Sequence, residues 1–405
     1  MNCAGEGGLP EGDLVSMPDD SGLFELPPEY RELQAQARAL AASVAGRAAV
    51  ADEADGVDPV MRQALRDSRL AEVTVGREYG GRFGRVDSLA VTVVREALAG
   101  VSGHLDSLFA MQGIGSFALS EGGRDAVRKR WLPAVAALDA IAALALTEPD
   151  VGSDLKAITT SVTAADGRLV VSGHKSFITN AGDADLYTVL GREGDDQFSL
   201  VLVPADAPGV TVTRPHQIIA PHVLGDVVFD KVTVPEDHRV GEPGQGFRLA
   251  LATLAIFRVS VAGAALGVAQ AALDEALRHT TGRSQFGVPL AELGPVPSLL
   301  ALSWTEIEMA RALTYRAAAA AARDPRANLH LSSMAKVGAT EVAGRVVDRA
   351  VQVMGRFGLV RGSAIERLYR EARPMRIYEG STEVILDSLA RQLTRRHSGG
   401  QGSRA

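Results

Sequence analysis

The sequence predicts an α+β multidomain protein of three successive blocks: an N-terminal helical domain, a middle antiparallel β domain and a C-terminal four-helix bundle domain. Two switches of hydrophobic period predict it. Apolar residues recur at helical spacing up to about Leu138, alternate with period two from about Ala157 to Val234, and return to helical spacing from Gly246 to Arg396. The middle block is also where β-branched residues concentrate. Its strands follow one another instead of alternating with helices, which argues against a doubly wound parallel sheet.

Taken in order, residues 1–25 are rich in Gly, Asp and Pro without a period, and read as a disordered leader. The first domain is placed at 26–142, where Leu33, Ala37, Leu40 and Val44 fall on one helical face and Gly80-Gly81 and Gly122-Gly123 separate further helices. The β domain is placed at 143–240. Its strands are read at Leu169–Val171, Tyr187–Leu190, Ser199–Val203, Val210–Thr213 and Asp226–Phe229, with turn signals at Asp166-Gly167 and Gly194-Asp195-Asp196. The second helical domain is placed at 241–396, carried by Leu266, Leu273 and Leu277 and by Val342, Val346, Ala350 and Val353. Residues 397–405 read as a disordered tail.

Composition narrows the function. The 405 residues are 46% hydrophobic and 22% charged, with a net charge of -7, which excludes an intrinsically disordered chain and a basic footprint for nucleic acid or anionic membrane. A single cysteine, Cys3, excludes an intrachain disulfide and a cysteine-based zinc site. The longest candidate apolar run, around Ala134–Leu146, is interrupted by Asp139, so no membrane span is expected. With no basic start and apolar stretch of a secretory signal, the expectation is a cytoplasmic protein.

Familiar nucleotide and hydrolase motifs fail. Gly244-Gln-Gly246 lacks the third glycine of a dinucleotide loop, because Leu249 stands there. Gly173-His-Lys-Ser176 breaks the phosphate-loop pattern inside a strand, and no Gly-x-Ser-x-Gly elbow occurs. The eight histidines show no tight ligand spacing, so no metal site is expected, and His216 and His222 read as ordinary polar histidines.

Two segments carry chemistry. Leu144-Ala-Leu-Thr-Glu-Pro-Asp-Val-Gly-Ser-Asp154 offers hydroxyls and backbone N–H groups suited to a polar ring or phosphate, and equally suits an interdomain loop. Arg373-Pro-Met-Arg-Ile-Tyr-Glu-Gly-Ser-Thr-Glu383 sets a carboxylate just before a glycine and a helix start; Glu379 and Glu383 could there serve chemistry or only the helix dipole.

Together with Gly173-His-Lys-Ser-Phe-Ile-Thr-Asn180, Gly241-Glu-Pro-Gly-Gln-Gly-Phe247, Arg283-Ser-Gln-Phe-Gly287 and Gln352-Val-Met-Gly355, these segments resemble the acyl-CoA dehydrogenase family, in the family's order and over nearly the whole chain. The resemblance implies FAD as cofactor and a homo-oligomer, tetrameric or dimeric. It implies that Leu144, Leu146 and Thr147 meet the flavin pyrimidine edge, that Thr179 reaches the N5 side, and that Phe177 packs on the flavin where many relatives carry Trp. Arg283, Gln285 and Phe286 would reach a neighbouring subunit's FAD, with Gln352 and Gly355 on the adenine side and Ser381 and Glu383 after the catalytic turn. Ser153, Arg258, Tyr378 and Gly380 would contact substrate.

The activity so implied is α,β-dehydrogenation of an acyl thioester: Glu379 takes the α-proton, and the β-hydrogen leaves as hydride to flavin N5. Some relatives place the base on an earlier helix, at the position of Ile256, which cannot accept a proton. Glu379 therefore has no rival in the motif set. The thioester could be acyl-CoA or an acyl carrier protein. The position where CoA-using relatives carry an acidic pantetheine contact is Ala255, and Glu292-Leu-Gly-Pro-Val-Pro297 replaces a stretch that touches FAD, which favours the carrier. Electrons would pass to an electron-transfer flavoprotein or to oxygen. The competing readings are a flavin-dependent oxidase of an oxygenated acyl thioester and, least favoured, a non-catalytic acyl-binding protein.

Overall fold

The computed structural model describes residues 25–194, 197–220 and 222–401. The leader read at 1–25 lies outside them apart from Glu25, as do Asp195 and Asp196 of the second turn signal.

Five helices form the first block: α1 (Pro28–Ala51), α2 (Pro59–Ser68), α3 (Ser88–Ala99), α4 (Gly103–Gly122) and α5 (Asp125–Ala136). Their starts are chemically marked. Asp58 accepts from the Val60 and Met61 N–H groups, Asp87 from Leu89 and Ala90, and Ser102 from Leu105, which satisfies donors that a helix start leaves unpaired. Leu33, Ala37, Leu40 and Val44 are all buried, as their spacing requires.

The middle block is one eight-stranded sheet: β1 (Ala142–Ala145), β2 (Ser161–Ala165), β3 (Arg168–Thr179), β4 (Leu186–Arg192), β5 (Phe198–Pro204), β6 (Val210–Thr213), β7 (Leu224–Pro235) and β8 (Arg239–Val240). The order is β6-β7-β3-β2-β4-β5-β8, with β1 also on β4. The sheet is mixed rather than antiparallel throughout: β1 and β2 run parallel to β4. Asp166-Gly167 turns β2 into β3 with both residues at positive φ, the geometry of a two-residue hairpin loop.

The last block holds four long helices, α6 (Gly246–Gly282), α7 (Val296–Arg323), α8 (Leu329–Met354) and α10 (Thr382–Gln401), with a short α9 (Ala364–Ala372). A small hairpin, β9 (Ser284–Gln285) and β10 (Val288–Pro289), follows α6. Helix α10 continues to Gln401, so the tail boundary after Arg396 falls inside it. The longest apolar segment is α6, not the run around Ala134–Leu146. By length and composition α6 could cross a membrane, yet most of it is buried in the protein as the central core helix. It lies tight on α3: a Cβ on Gly263 would meet the Thr92 carbonyl oxygen at 2.5 Å, and one on Gly267 the Glu96 carbonyl oxygen at 2.1 Å. Only glycine permits that approach.

Candidate active site

Two constellations form from the motif residues. The first joins the loop after β1 to β3. Thr147 Oγ1 donates to the Ser176 carbonyl (2.5 Å), and Ser176 N–H donates to the Thr147 carbonyl (3.0 Å). Glu148 is the anchor of this loop and was not singled out in the sequence. Its carboxylate accepts from Thr159 N–H and Oγ1, from Thr160 N–H and from Lys175 Nζ (3.0 Å). Burial works against its charge, but those hydrogen bonds and Lys175 outweigh it and bring the carboxyl down to about 2. Burial lowers the Lys175 ammonium to about 8, against the pull of Glu148. Lys175 Nζ also holds the Leu146 carbonyl (2.8 Å), so that oxygen is already engaged within the loop.

On the same strand Phe177 adopts φ 55° at a bulge, and is half exposed. Its N–H donates to Asp226 Oδ1 at 3.3 Å, and its ring stacks on His216 with centroids 5.0 Å apart. Leu146 and Thr147 are thus tied to Lys175 and Ser176 beside Phe177, with the Ser176 hydroxyl buried and without a partner among the described residues, while Leu144 lies on β1 and Thr179 ends β3. Paired backbone, hydroxyls and an open aromatic face fit the polar edge and flat face of a flavin.

The second constellation surrounds Glu379, in the turn between a 3₁₀ turn at Pro374–Arg376 and α10. Glu379 and Gly380 both have positive φ, 51° and 100°. Two cations fix the turn: Arg258 Nε donates to the Glu379 carbonyl (3.0 Å) and Lys336 Nζ to the Gly380 carbonyl (2.6 Å). Arg258 also donates to Ser333 Oγ. The Glu379 Oε2 atom is sealed from solvent and has no hydrogen-bond partner among the described residues. Burial raises its carboxyl above the ordinary carboxylate range, opposed by Arg95, Arg258 and Lys336. Burial likewise raises the phenol of half-buried Tyr378 and lowers Lys336 to about 8. Ile256 is buried on α6 and offers no base. Lys336 and Arg95 were missed by sequence reasoning, since each sits inside an apolar helical run.

The remaining motif residues are not drawn into either group. Ser153 is exposed in the loop after β1 and Glu383 is exposed on α10. Ser381 Oγ accepts from Val384 N–H at 3.5 Å, a weak cap of α10. Arg283 lies over the Phe357 ring (4.9 Å), in the 3₁₀ turn that begins at Gly355, while Gln352 is exposed at the end of α8. Gln285 and Phe286 stand on the β9–β10 hairpin, and Phe286 is 95% exposed at positive φ. His222 is a buried polar histidine: its Nε2 lies 3.2 Å from Glu371 Oε2, with most of its side chain out of solvent.

Residues 27–139, 143–232 and 244–394 match the N-terminal, middle and C-terminal domain profiles of acyl-CoA dehydrogenases. The chain belongs to the acyl-CoA dehydrogenase family. It is 34% identical over 382 residues to the probable acyl-CoA dehydrogenase FadE25 of Mycobacterium tuberculosis (strain ATCC 25618 / H37Rv), covering 92% of this chain and 97% of that one. Butyryl-CoA dehydrogenase from Megasphaera elsdenii shares the fold with a TM-score of 0.87 at 28% identity, over 92% of this chain and all of that one. FkbI, for biosynthesis of the methoxymalonyl extender unit of Fk520, aligns with a TM-score of 0.80 at 29% identity, over 88% of this chain and 99% of that one. FAD is the cofactor of the acyl-CoA dehydrogenase family, and the residues of the first constellation fit it.

Proposed function

We propose that this acyl-CoA dehydrogenase family member oxidises the α,β bond of an acyl thioester with Glu379 as the α-proton base. The observation that carries the reading is the sealed, unpartnered Glu379 Oε2, on a turn whose two carbonyls are held by Arg258 and Lys336. A poorly solvated carboxylate whose basicity is raised by burial is an effective proton acceptor, and the charges of Arg95, Arg258 and Lys336 oppose that rise. Bound FAD supplies the hydride acceptor. The chain's part is placement: Thr147 and Ser176 order the loop that would hold the flavin, Phe177 would pack against it, and the Glu379 N–H would offer a donor to the thioester carbonyl.

We read the thioester as carried on an acyl carrier protein. Ala255 stands where an acidic pantetheine contact would be and is packed into α6, and the likeness to FkbI fits a biosynthetic role. The site is completed by a second copy through the Arg283–Phe286 hairpin, the electrons leave to an electron-transfer flavoprotein or oxygen, and the enzyme works in the cytoplasm. The test is anaerobic bleaching of the flavin by one acyl group presented on CoA and on a phosphopantetheinylated carrier. Faster bleaching and higher kcat/KM with the carrier support the reading; equal or better values with CoA leave a plain acyl-CoA dehydrogenase.

A further inference from the structure

The turn that ends α8 sets a second exposed cation beside Arg283. Gly355, at φ 59°, takes the chain out of α8 into the 3₁₀ turn Gly355–Leu359, where Arg356 and Phe357 are both exposed. The Arg356 guanidinium lies 5.2 Å from the centre of the Phe357 ring, and the Arg283 guanidinium lies 4.9 Å from the same centre. The His279 ring, one turn earlier on α6, packs against Phe357 at 5.3 Å, with its Nε2 buried and without a partner among the described residues. One aromatic ring thus holds two guanidiniums, and neither has a carboxylate or hydrogen-bond partner among the described residues. Stacking on the ring orders both side chains without neutralising either charge. Burial, with Arg283 alongside, lowers the His279 imidazole, so the positive charge here belongs to the two arginines.

The geometry points to a two-arginine clamp: Arg283 and Arg356, spaced by Phe357, grip the diphosphate of an FAD whose flavin ring is seated in a second copy of this chain. The inference rests on the reading that a second copy completes the site, and it adds Arg356 and Phe357 to that site. Two like charges held on one ring repel each other, and an anion with oxygens at both ends relieves that repulsion. A guanidinium fork suits phosphate oxygens, which it can take two at a time. Around the clamp Phe286, Leu359 and Val360 are exposed, an apolar rim suited to the adenosine attached to a diphosphate and to the second copy. Helix α6 sets which copy the flavin belongs to. Arg258, which holds the Glu379 carbonyl, and Arg283 stand 25 residues apart along it, about 37 Å at 1.5 Å per residue. An extended FAD molecule is shorter than that. A flavin beside this chain's own Glu379 therefore cannot lay its diphosphate on this chain's Arg283 and Arg356. A free nucleotide carries the same diphosphate, and the test separates the two sources.

The test measures FAD retention by the holoenzyme on dilution, read by flavin fluorescence, for wild type, Arg356→Ala and Arg356→Lys. Arg356→Ala should weaken FAD roughly tenfold or more, as loss of a charge-assisted hydrogen bond does. Lysine, with the charge but not the fork, should restore part of that loss. Excess ADP should strip FAD from the wild type, because both compete for the clamp, whereas adenosine, without the diphosphate, should not. Retention by Arg356→Ala within twofold of wild type overturns the clamp. So does ADP that leaves FAD in place, and ADP taken up beside undiminished FAD would make this a free-nucleotide site. Sedimentation at saturating FAD should show the wild-type assembly for both variants; an assembly lost there would make Arg356 a plain subunit contact and overturn the clamp as well. A wild type that holds FAD tightly as a monomer overturns instead the second-copy reading on which the inference rests.

Discussion

The Glu379 turn and the β9–β10 hairpin stand at opposite extremes of self-sufficiency. The turn is finished within one chain: its carbonyls are held by Arg258 and Lys336, and one carboxylate oxygen, Oε2, is sealed from solvent. The hairpin is open to solvent, with Phe286 almost fully exposed and the Gln285 side chain bonded, among the described residues, only to the Ser284 carbonyl. Under the proposed function, the turn would carry the chemistry, and the exposed hairpin would help hold the cofactor of a second copy. Exposed apolar residues singly placed are common, but a large aromatic at positive φ on a tight hairpin is held out by its backbone.

The sharpest way to break this contrast is Glu379→Gln. The variant should keep yellow FAD and bind thioester yet lose turnover by roughly 10²–10⁴ or more, as expected for loss of a general base with no substitute; stopped-flow flavin reduction measures it, and turnover within a few-fold of wild type removes Glu379 from the mechanism. Arg283→Ala attacks the other side. Losing charge-assisted hydrogen bonds of about 1.5–3 kcal/mol should weaken FAD some 10–100-fold, with thioester affinity of the loaded enzyme unchanged; a monomer that keeps FAD tightly after this substitution would place cofactor retention within one chain. Lys336→Met should lower unfolding free energy by about 1–3 kcal/mol, because it leaves the Gly380 carbonyl unsatisfied, and denaturant titration reads that directly.

The smallest effect concerns acid. Glu148 is lowered from its ordinary 4.5 to about 2, so the stability it contributes is fully present above about 4.5 and is lost as pH falls towards 2. Glu148→Gln should flatten that part of the stability profile; an unaltered profile would assign the acid sensitivity elsewhere. Glu379 runs the other way. Its raised carboxyl must lose a proton to work, so kcat/KM should climb with pH through a midpoint above the ordinary carboxylate range.

Much of this was legible in the residue order. The change of period from 3.6 to two and back marks the three blocks, because burial of one face writes that period into each element. The turn that carries Glu379, just before a helix start, was legible because its motif is local. The Arg95–Asp106 pair was not, because an arginine in Val93-Val94-Arg95 looks like a helix surface residue until α3, α4 and α6 are folded together. Parallel pairing of β1 and β2 with β4 escaped for a similar reason: a tight turn announces an antiparallel neighbour, and nothing local announces a parallel one. Helix α6 was missed as the longest apolar run because Arg258 interrupts it, and that interruption is what carries the site.

Helix α6 also acts as a gauge. At 1.5 Å per residue its 37 residues span about 55 Å, from Gly246, whose added Cβ would strike the Ser199–Leu200 backbone, to Gly282, two residues before the β9–β10 hairpin. A single residue inserted between Gly246 and Arg258 would turn the arginine by about 100° around the axis and swing it off the Glu379 carbonyl, while every downstream contact shifted phase as well. Length changes that leave the enzyme working should therefore gather in connections such as Asp166-Gly167, and α6 should admit substitutions but no insertions or deletions.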